Sequence, residues 1–429
     1  MIKFLIFQII LINVFSLKPY SFDFDILPKS NLLLIKMNIG TPKKEAKLLI
    51  DIGSDISWVN ANIFQKEKSS TLIDKKTNVT KIFYDIDIKG QWVQDVFNFL
   101  GKDFLIENFD FILTTEYKGN TALNGGISLA NKYLNTEFCV LHRMKQMKLI
   151  NHEMFSLKFI DRKKGKIYIG DLSPELKNQN KLFDKCILQK SDKVAEKIKW
   201  ACQLTQIFIG ELSNEELIFG QMEKVYKISK EKHPIIDDIN QRADFETTVN
   251  RILLPYSEGE EYFAFFEENY FLNDKHQKIC SKIKKEKETS FECQIEDIKF
   301  FKNLNFVFDN SIALFIYKED LFDCDIKTNK CNFLISINEN VDKFVFGLPL
   351  LQQFHTVFDH DSKYILFHGS TNKAKVKIEG KETSFFTKVF VYLCVFTIVV
   401  CFILFMVYFS LRLRFLYKTG TNIQITEMM

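Results

Sequence analysis

The sequence predicts a mostly β protein. Short apolar, β-prone segments recur along the chain: 32–38, 46–50, 167–170, 208–210, 343–347 and 355–359. Few windows show helical periodicity, and the better candidates are 259–271 and 335–342. The 429 residues are 46% hydrophobic, which is enough for two ordinary domains or one large bilobal one. With 44 Phe but only 16 Gly and 7 Pro, we expect many turns to be built from Asn, Asp and Lys.

The charge balance narrows the class of protein. The chain has 58 basic and 54 acidic residues, and its net charge of +4 argues against a dedicated nucleic-acid binder. Its His and Cys residues show no metal-ligand spacing, so we expect neither a metal nor another cofactor. A mixed Lys/Glu run at 275–292 predicts a solvated loop. We expect a monomer.

Residues 1–17 predict a signal peptide. Met1-Ile2-Lys3 supplies a short basic start, and the apolar run 4–15 that follows is too short to span a bilayer. The alternative is a buried N-terminal strand. A signal peptide sends the chain into the secretory pathway, where the compartment allows disulfides.

Residues 389–411 predict a transmembrane helix. This stretch is uncharged and apolar, and it is long enough to cross a bilayer with slight tilt. Arg412, Arg414 and Lys418 follow at once, which predicts a cytosolic tail at 412–429. The polar segment 371–388 would be the stalk, and the alternative for 389–411 is a core helix. We expect a single-pass type I membrane protein of the secretory or endolysosomal pathway or the cell surface, with its ectodomain lumenal or extracellular.

The ectodomain cysteines predict disulfides. Cys280, Cys293, Cys324 and Cys331 lie close together in the sequence, so we expect two disulfides among them. Pairing of Cys280 with Cys293 and Cys324 with Cys331 would close two short loops, but a crossed Cys293–Cys331 pair fits equally well. Asn78 begins an Asn-Val-Thr glycosylation sequon, which we expect on a loop.

One stretch points to specific chemistry. Residues 49–59 read Leu-Ile-Asp-Ile-Gly-Ser-Asp-Ile-Ser-Trp-Val, which predicts a buried strand that ends in a tight turn. Asp51 stands at the end of that strand, where backbone N–H groups of the turn can hydrogen-bond its carboxylate. A carboxylate held in this way stays ionised at low pH.

With Ile39-Gly40-Thr41-Pro42 upstream, this stretch resembles the first catalytic segment of the pepsin-like aspartic proteases, with Ile52 in place of their Thr. Phe346-Gly347 and the following residues to Asp359 are similar to the family's closing segment. The resemblance covers roughly 32–369 and implies a bilobal pepsin-like fold, with an N-terminal lobe at 22–200 and a C-terminal lobe at 201–370. Residues 124–127 would be the first-lobe counterpart of Phe346-Gly347.

The family also requires a second carboxylate, in an Asp-Thr-Gly-Thr-Ser motif followed by Pro nine positions after the Asp. The best match places Glu246 there, because Pro255 lies nine positions later (255 − 246). Thr247 keeps the first hydroxyl of the motif, but Thr248 replaces the Gly and Val249 replaces the next hydroxyl. Asp244 is the alternative second carboxylate, in a shifted register.

A flap is the remaining element of the resemblance. Residues 82–90 are similar to the hairpin that closes over substrate, with Tyr84 matching its Tyr and Trp58 the Trp that bonds to it. The alternative is an ordinary hairpin with a core Tyr. By resemblance, substrate contacts would come from Tyr84, Trp58, Gly53, Ser54 and Thr247.

The resemblance implies a membrane-anchored aspartic endopeptidase whose catalytic residues are Asp51 and Glu246. Two carboxylates that share one proton can activate a water molecule against a peptide carbonyl, so the partner would be a peptide or protein substrate. We expect weak, acid-optimal activity. The competing class is an inactive homologue that binds a peptide or protein in the cleft, and a third class, a receptor or adhesion ectodomain, rests on the membrane span alone.

Overall fold

The computed structural model describes residues 19–27, 30–83, 86–118, 123–130, 139–178, 184–189, 199–210, 217–219, 224–228, 234–309, 312–369 and 375–378, with five residues between 405 and 411. The predicted signal peptide, Tyr84, most of the stalk and nearly all of the predicted membrane span lie outside this part. Within it, no helix is both long and apolar enough to cross a bilayer. The chain divides into two compact units, Met1–Lys377 and Ile378–Met429.

The described chain is mostly β. Its first strands are β1 (Tyr20–Ile26), β2 (Leu33–Ile39), β3 (Lys44–Asp51), β4 (Trp58–Asn60), β5 (Ile73–Phe83), β6 (Ile86–Phe99), β7 (Ile106–Lys118), β8 (Gly125–Ser128), β9 (Met154–Phe159), β10 (Lys164–Ile169) and β11 (Asp184–Ile187). The middle strands are β12 (Trp200–Ile209), β13 (Leu217–Phe219), β14 (Lys224–Ile228), β15 (Ile235–Ile236), β16 (Gln241–Phe245), β17 (Ile252–Leu254), β18 (Cys280–Lys285), β19 (Glu288–Gln294), β20 (Leu304–Phe308) and β21 (Ile312–Ile316).

The last strands are β22 (Phe322–Asp325), β23 (Lys330–Phe333), β24 (Ile335–Asn338), β25 (Phe344–Phe346), β26 (Phe354–Asp359), β27 (Tyr364–Gly369) and β28 (Lys375–Ile378). The α-helices of the first unit's described residues are short: α1 (Val140–Gln146), α2 (Pro174–Asn178), α3 (Gly259–Asn269) and α4 (Leu348–Leu351). Single 3-10 turns lie at Lys66–Lys68, Ile295–Phe300 and Lys318–Asp320.

The strands form two sheets. The order of the first is β11-β27-β26-β9-β10-β1-β2-β3-β8-β4-β7-β6-β5, and the path of the second is β13-β14-β28-β21-β20-β12-β16-β25-β17-β24-β19-β23-β22. Strand β26 pairs with β9, with Thr356 opposite Leu157. The chain therefore returns from the second sheet to the first, and β26 and β27, which the sequence assigned to the C-terminal lobe, complete the sheet of the N-terminal lobe.

The same three-strand arrangement occurs in both sheets. In the first, β3 runs parallel to β8, and β8 is antiparallel to β4. In the second, β16 runs parallel to β25, and β25 is antiparallel to β17. Asp51 ends β3, and Glu246 directly follows β16, so the two carboxylates occupy equivalent points of the two lobes.

The register of this arrangement corrects one expectation. Asp51 lies opposite Ser128 in β8, while Phe245 lies opposite Phe346 in β25. The position beside Glu246 is therefore Gly347, and its first-lobe counterpart is Ser128 rather than the expected stretch 124–127. That expectation followed the glycines of the sequence, whereas the paired strands place a serine there.

Aromatic side chains fill the core. Helix α3 buries Tyr262, Phe263 and Phe266, one helical face that packs on aromatic rings of β25, β19 and β23. Trp200 packs against Phe358, with ring centroids 5.1 Å apart. As the composition predicted, the non-glycine residues with positive φ in the described chain are mostly Asn, Asp or Lys.

Three local predictions were wrong. The segment 335–342 begins as strand β24 instead of a helix, and it pairs in parallel with β17. The Lys/Glu run 275–292 is largely the β18–β19 hairpin, whose charged side chains face outward while Phe291 is buried. Asn78 is exposed as expected for a glycosylation sequon, but it lies within strand β5, opposite Gln91 of β6.

Candidate active site

Asp51 is held by the turn that follows its strand. Its side chain is buried, with 6% of the residue exposed. The backbone N–H groups of Gly53 and Ser54 donate to Asp51 Oδ1, at 2.9 and 3.0 Å. The Ser128 hydroxyl donates to the Ser54 carbonyl at 2.6 Å and ties this turn to strand β8. The predicted strand-end carboxylate with backbone donors is therefore present.

Glu246 reaches the same turn from the other lobe. The residue is 1% exposed, and its N–H donates to the carbonyl of Phe346 at 3.0 Å. A Cβ atom added to Gly53 would lie 1.4 Å from Glu246 Oε2 and 2.2 Å from its Cδ. The Glu246 carboxyl group thus fills the space beside Gly53 Cα, and the structure brings it next to the Asp51 turn.

Lys199 is a third charged residue of this site, and no sequence pattern predicted it. Its Nζ lies 2.6 Å from Glu246 Oε1, and its side chain is 13% exposed. The next residue, Trp200, is buried, and its indole N–H donates to the carbonyl of Leu129 at 3.0 Å. Lys199 belongs to no motif, so only the contact across the fold identifies it.

The charges of the three groups are coupled. Against the expectation that its backbone donors keep Asp51 ionised at low pH, burial raises the pKa of Asp51, and the Gly53 N–H and Lys199 oppose the shift only in part. Burial also raises the pKa of Glu246, where Lys199 acts against burial and Asp51 adds to it. Burial alone would lower the pKa of Lys199, but the neighbouring Glu246 carboxylate raises it overall. Lys199 is therefore the cation of the site, and the two carboxyl groups compete for protons.

Asp244, the alternative second carboxylate, has different partners. It is fully buried in β16, with Arg242 Nε 2.9 Å from its Oδ1 and Lys343 Nζ 2.8 Å from its Oδ2. Two cations therefore engage this carboxylate, whereas Glu246 is the one that reaches the Asp51 turn.

The two active-site turns are linked by one hydroxyl. Thr247 Oγ1 donates to the carbonyl of Ile50 at 2.6 Å and accepts the N–H of Ile52 at 3.3 Å. Ile52 occupies the equivalent position of the first lobe, but its side chain is apolar and buried in the core. The crossing hydrogen bonds of the second lobe's threonine therefore have no counterpart from Ile52.

Trp58 and the hairpin of the predicted flap belong to the first sheet, with Trp58 in β4 next to β8 and the hairpin beyond β7. Trp58 is buried in a cluster with Leu49, Ile88 and Ile112, and its indole nitrogen would lie 2.6 Å from a Cβ added to Gly126. Strands β5 and β6 form a long hairpin whose last paired residues are Phe83 and Ile86. Its tip, with Tyr84, lies outside the described residues, so the flap stays a prediction.

Three disulfides stabilise the described part of the chain. Cys280 bonds to Cys293 and Cys324 bonds to Cys331, in the uncrossed pairing. Cys293 and Cys331 are themselves opposite each other on β19 and β23, so the two disulfides lie side by side. Cys186 also bonds to Cys202, a pair that the sequence did not predict. Across the described residues, no group of three or more His, Cys, Asp or Glu side chains is arranged to hold a metal ion.

Comparison with known proteins identifies the family of the chain. The family model for eukaryotic aspartyl protease matches residues 33–368, so the chain belongs to the eukaryotic aspartyl protease family. It is 29% identical over 188 residues to secreted aspartic protease 7 of Candida albicans (strain SC5314 / ATCC MYA-2876), a match that covers 37% of this chain and only 30% of that protein. The aspartic proteinase of Irpex lacteus has a similar structure, with a TM-score of 0.62 over 82% of this chain and 98% of that one. At 11% identity this likeness shows the fold alone.

Proposed function

We propose that the protein is an aspartic-type endopeptidase that cleaves peptides or proteins with Asp51 and Glu246 as its catalytic pair. The observation that carries the proposal is the position of the Glu246 carboxyl against Gly53, on the turn that holds Asp51. This arrangement provides two buried carboxyl groups on equivalent turns of the two lobes, which is the requirement for shared-proton chemistry.

The reaction follows from the different surroundings of the two carboxyl groups. Asp51 accepts two backbone N–H bonds, which stabilise its ionised form, so Asp51 takes the proton from the attacking water. Glu246 then carries the shared proton and donates it to the peptide carbonyl. Because one proton must be held by the pair as a whole, activity requires acid pH.

The activity is weak for reasons visible at the site. Glu is about 1.5 Å longer than Asp along its stem, and Ile52 offers no hydroxyl to match that of Thr247. Thr248 and Val249 also replace the Gly and the second hydroxyl of the family motif. Misplacement of a catalytic group by about 1 Å costs on the order of 10²-fold in rate.

A second candidate function is an inactive homologue that binds a peptide or protein in the cleft. The 2.6 Å contact between Lys199 and Glu246 favours it, because an ion-paired carboxylate is a poor proton donor. Both candidates place the ectodomain in the lumen or outside the cell, with 389–411 as the membrane anchor. The name of the Candida relative, a secreted protease, supports the secretory pathway.

The test is digestion of a peptide library at acid pH by the full-length chain, with pepstatin as inhibitor control. We expect slow cleavage that is lost in Asp51→Asn. A variant with Ile52→Thr, Glu246→Asp, Thr248→Gly and Val249→Thr should cleave faster. If this restored variant folds but cleaves nothing, the binding function is correct. Efficient cleavage that Asp51→Asn leaves unchanged would refute the mechanism.

A further inference from the structure

We propose that Lys199 is a positioning residue that favours the fully ionised form of the Asp51–Glu246 pair and confines the singly protonated form of the pair to acid pH. This inference rests on the proposed function for its catalytic meaning, but its effect on proton binding can be measured without cleavage. Lys199 would thus act as a switch within the protease domain that keeps the site inactive near neutral pH.

The contact is set by the strand register. Trp200 of β12 lies opposite Phe245 of β16, and Ala201 lies opposite Asp244. Continuing this antiparallel register by one position puts Lys199 opposite Glu246, where cross-strand side chains are close neighbours. The buried Trp200 side chain, hydrogen-bonded to Leu129, fixes the backbone beside Lys199. The Nζ–Oε1 distance of 2.6 Å is therefore a built feature of the sheet and not a chance surface contact.

The charges that face Lys199 come from two elements. Asp51 approaches from the end of β3, while Asp244 and Glu246 lie in or next to β16, and all three act on Lys199 electrostatically. Asp244 is engaged by Arg242 and Lys343. The positive charge of Lys199 therefore acts mainly on the carboxyl groups of Asp51 and Glu246.

The consequence follows from counting protons. The pair is active with one proton and inactive with none. A cation beside the pair stabilises the fully ionised form, which lowers the pH at which the last proton is lost. An opposite charge at such distances lowers a carboxyl pKa by about 1–3 units. Lys199 therefore shifts the alkaline limit of activity toward acid, even though burial keeps both carboxyl pKa values above their ordinary range.

The test compares Lys199→Met, which removes the charge but keeps the length, with the matched control Lys199→Arg. The alkaline limb of the kcat/KM profile should rise by about 1–3 pH units in Lys199→Met and stay near its wild-type position in Lys199→Arg. An alkaline limb that is the same in all three proteins would overturn the proposal.

A second readout needs no activity. Without Lys199, Glu246 binds its proton more tightly in the folded state, so acidification should stabilise Lys199→Met more than it stabilises the wild type. The unfolding temperature of Lys199→Met should lie far below that of the wild type at pH 7 and less far below it near pH 4.5. When Glu246→Gln is present in both proteins, this pH dependence should disappear. A deficit that is equal at both pH values would refute the inference, whereas absence of cleavage in every variant would refute only the proposed protease function. Lys199→Gln serves the same comparison if Lys199→Met does not fold.

Discussion

Substitution of Gly53 by Ala tests the central contact of the site directly. The added Cβ would lie 1.4 Å from Glu246 Oε2, whereas real Cβ contacts essentially never fall below 3.0 Å. The Glu246 carboxyl must therefore move by at least the difference, 1.6 Å. Its side chain can move because it is flexible, but it then leaves both the Asp51 turn and its contact with Lys199.

The size of the effect follows from this displacement. A shift of about 1 Å in a catalytic group costs on the order of 10²-fold in rate, which corresponds to about 2.7 kcal/mol of activation free energy. Separation of the buried Lys199–Glu246 pair adds a loss of about 3 kcal/mol in the free energy of unfolding. We therefore expect Gly53→Ala to lower kcat/KM by at least about 10²-fold and to lower the unfolding temperature.

Two comparisons make the result specific. Gly101 has no atom within 4 Å of an added Cβ, and its φ is +78°, so Gly101→Ala should cost about 1 kcal/mol through backbone strain without affecting cleavage. Glu246→Asp shortens the side chain by about 1.5 Å, so Gly53→Ala should cost much less stability in that background. If Gly53→Ala costs the same in both backgrounds, Glu246 does not occupy the space beside Gly53.

Two further predictions concern the same site. Thr247→Val removes the hydrogen bonds to Ile50 and Ile52, and it should lower the free energy of unfolding by about 1–3 kcal/mol. The exposed control Thr77→Val should change the free energy of unfolding by less than about 0.5 kcal/mol. Equal losses for the two variants in chemical denaturation would contradict the contact between the turns. Burial raises the pKa of Asp51 above its ordinary 3.8, so in the folded state the Asp51–Glu246 pair binds a proton that the unfolded chain has lost. The contribution of this proton to the free energy of unfolding is fully present below pH 3.8, the ordinary pKa of Asp. It is lost as the pH rises through the raised pKa of the folded state. The stability of wild type relative to Asp51→Asn should therefore be greatest near pH 4 and decrease toward pH 7, and unfolding temperatures that differ by a constant amount would refute it.

The strands were predictable where apolar, β-prone residues follow one another in a short buried run. The segments 46–50 and 355–359 lie within β3 and β26 as expected. The error at 335–342 has a physical origin, because Ile335 and Ile337 have the spacing of a strand while Ile337 and Val341 have that of a helix. Pairing with the parallel strand β17 selects the strand over the helix. This pairing joins residues that are far apart in the sequence, so the local pattern does not show it.

The residues of the candidate site also differ in how far local sequence could predict their positions. Asp51 was predictable because its strand, turn and backbone donors are all local in sequence. Glu246 required a second signal, the spacing to Pro255. Lys199 and the Cys186–Cys202 disulfide could not be predicted, because each depends on the course of β12 and its neighbours rather than on any local pattern.

The contact between Lys199 and Glu246 also changes the interpretation of the segment Glu246-Thr247-Thr248. From sequence, Glu in place of Asp is a loss of geometry. In the structure, the extra methylene carries the carboxyl both to Gly53 and to within 2.6 Å of Lys199. A buried lysine without a nearby carboxylate would be costly, and so would a buried glutamate without a cation. Glu246 and Lys199 therefore stabilise each other, and a reversal of Glu246 to Asp alone would withdraw the carboxylate from Lys199. In the second half-site, the position of the Glu246 carboxyl group and the charge of Lys199 are therefore coupled.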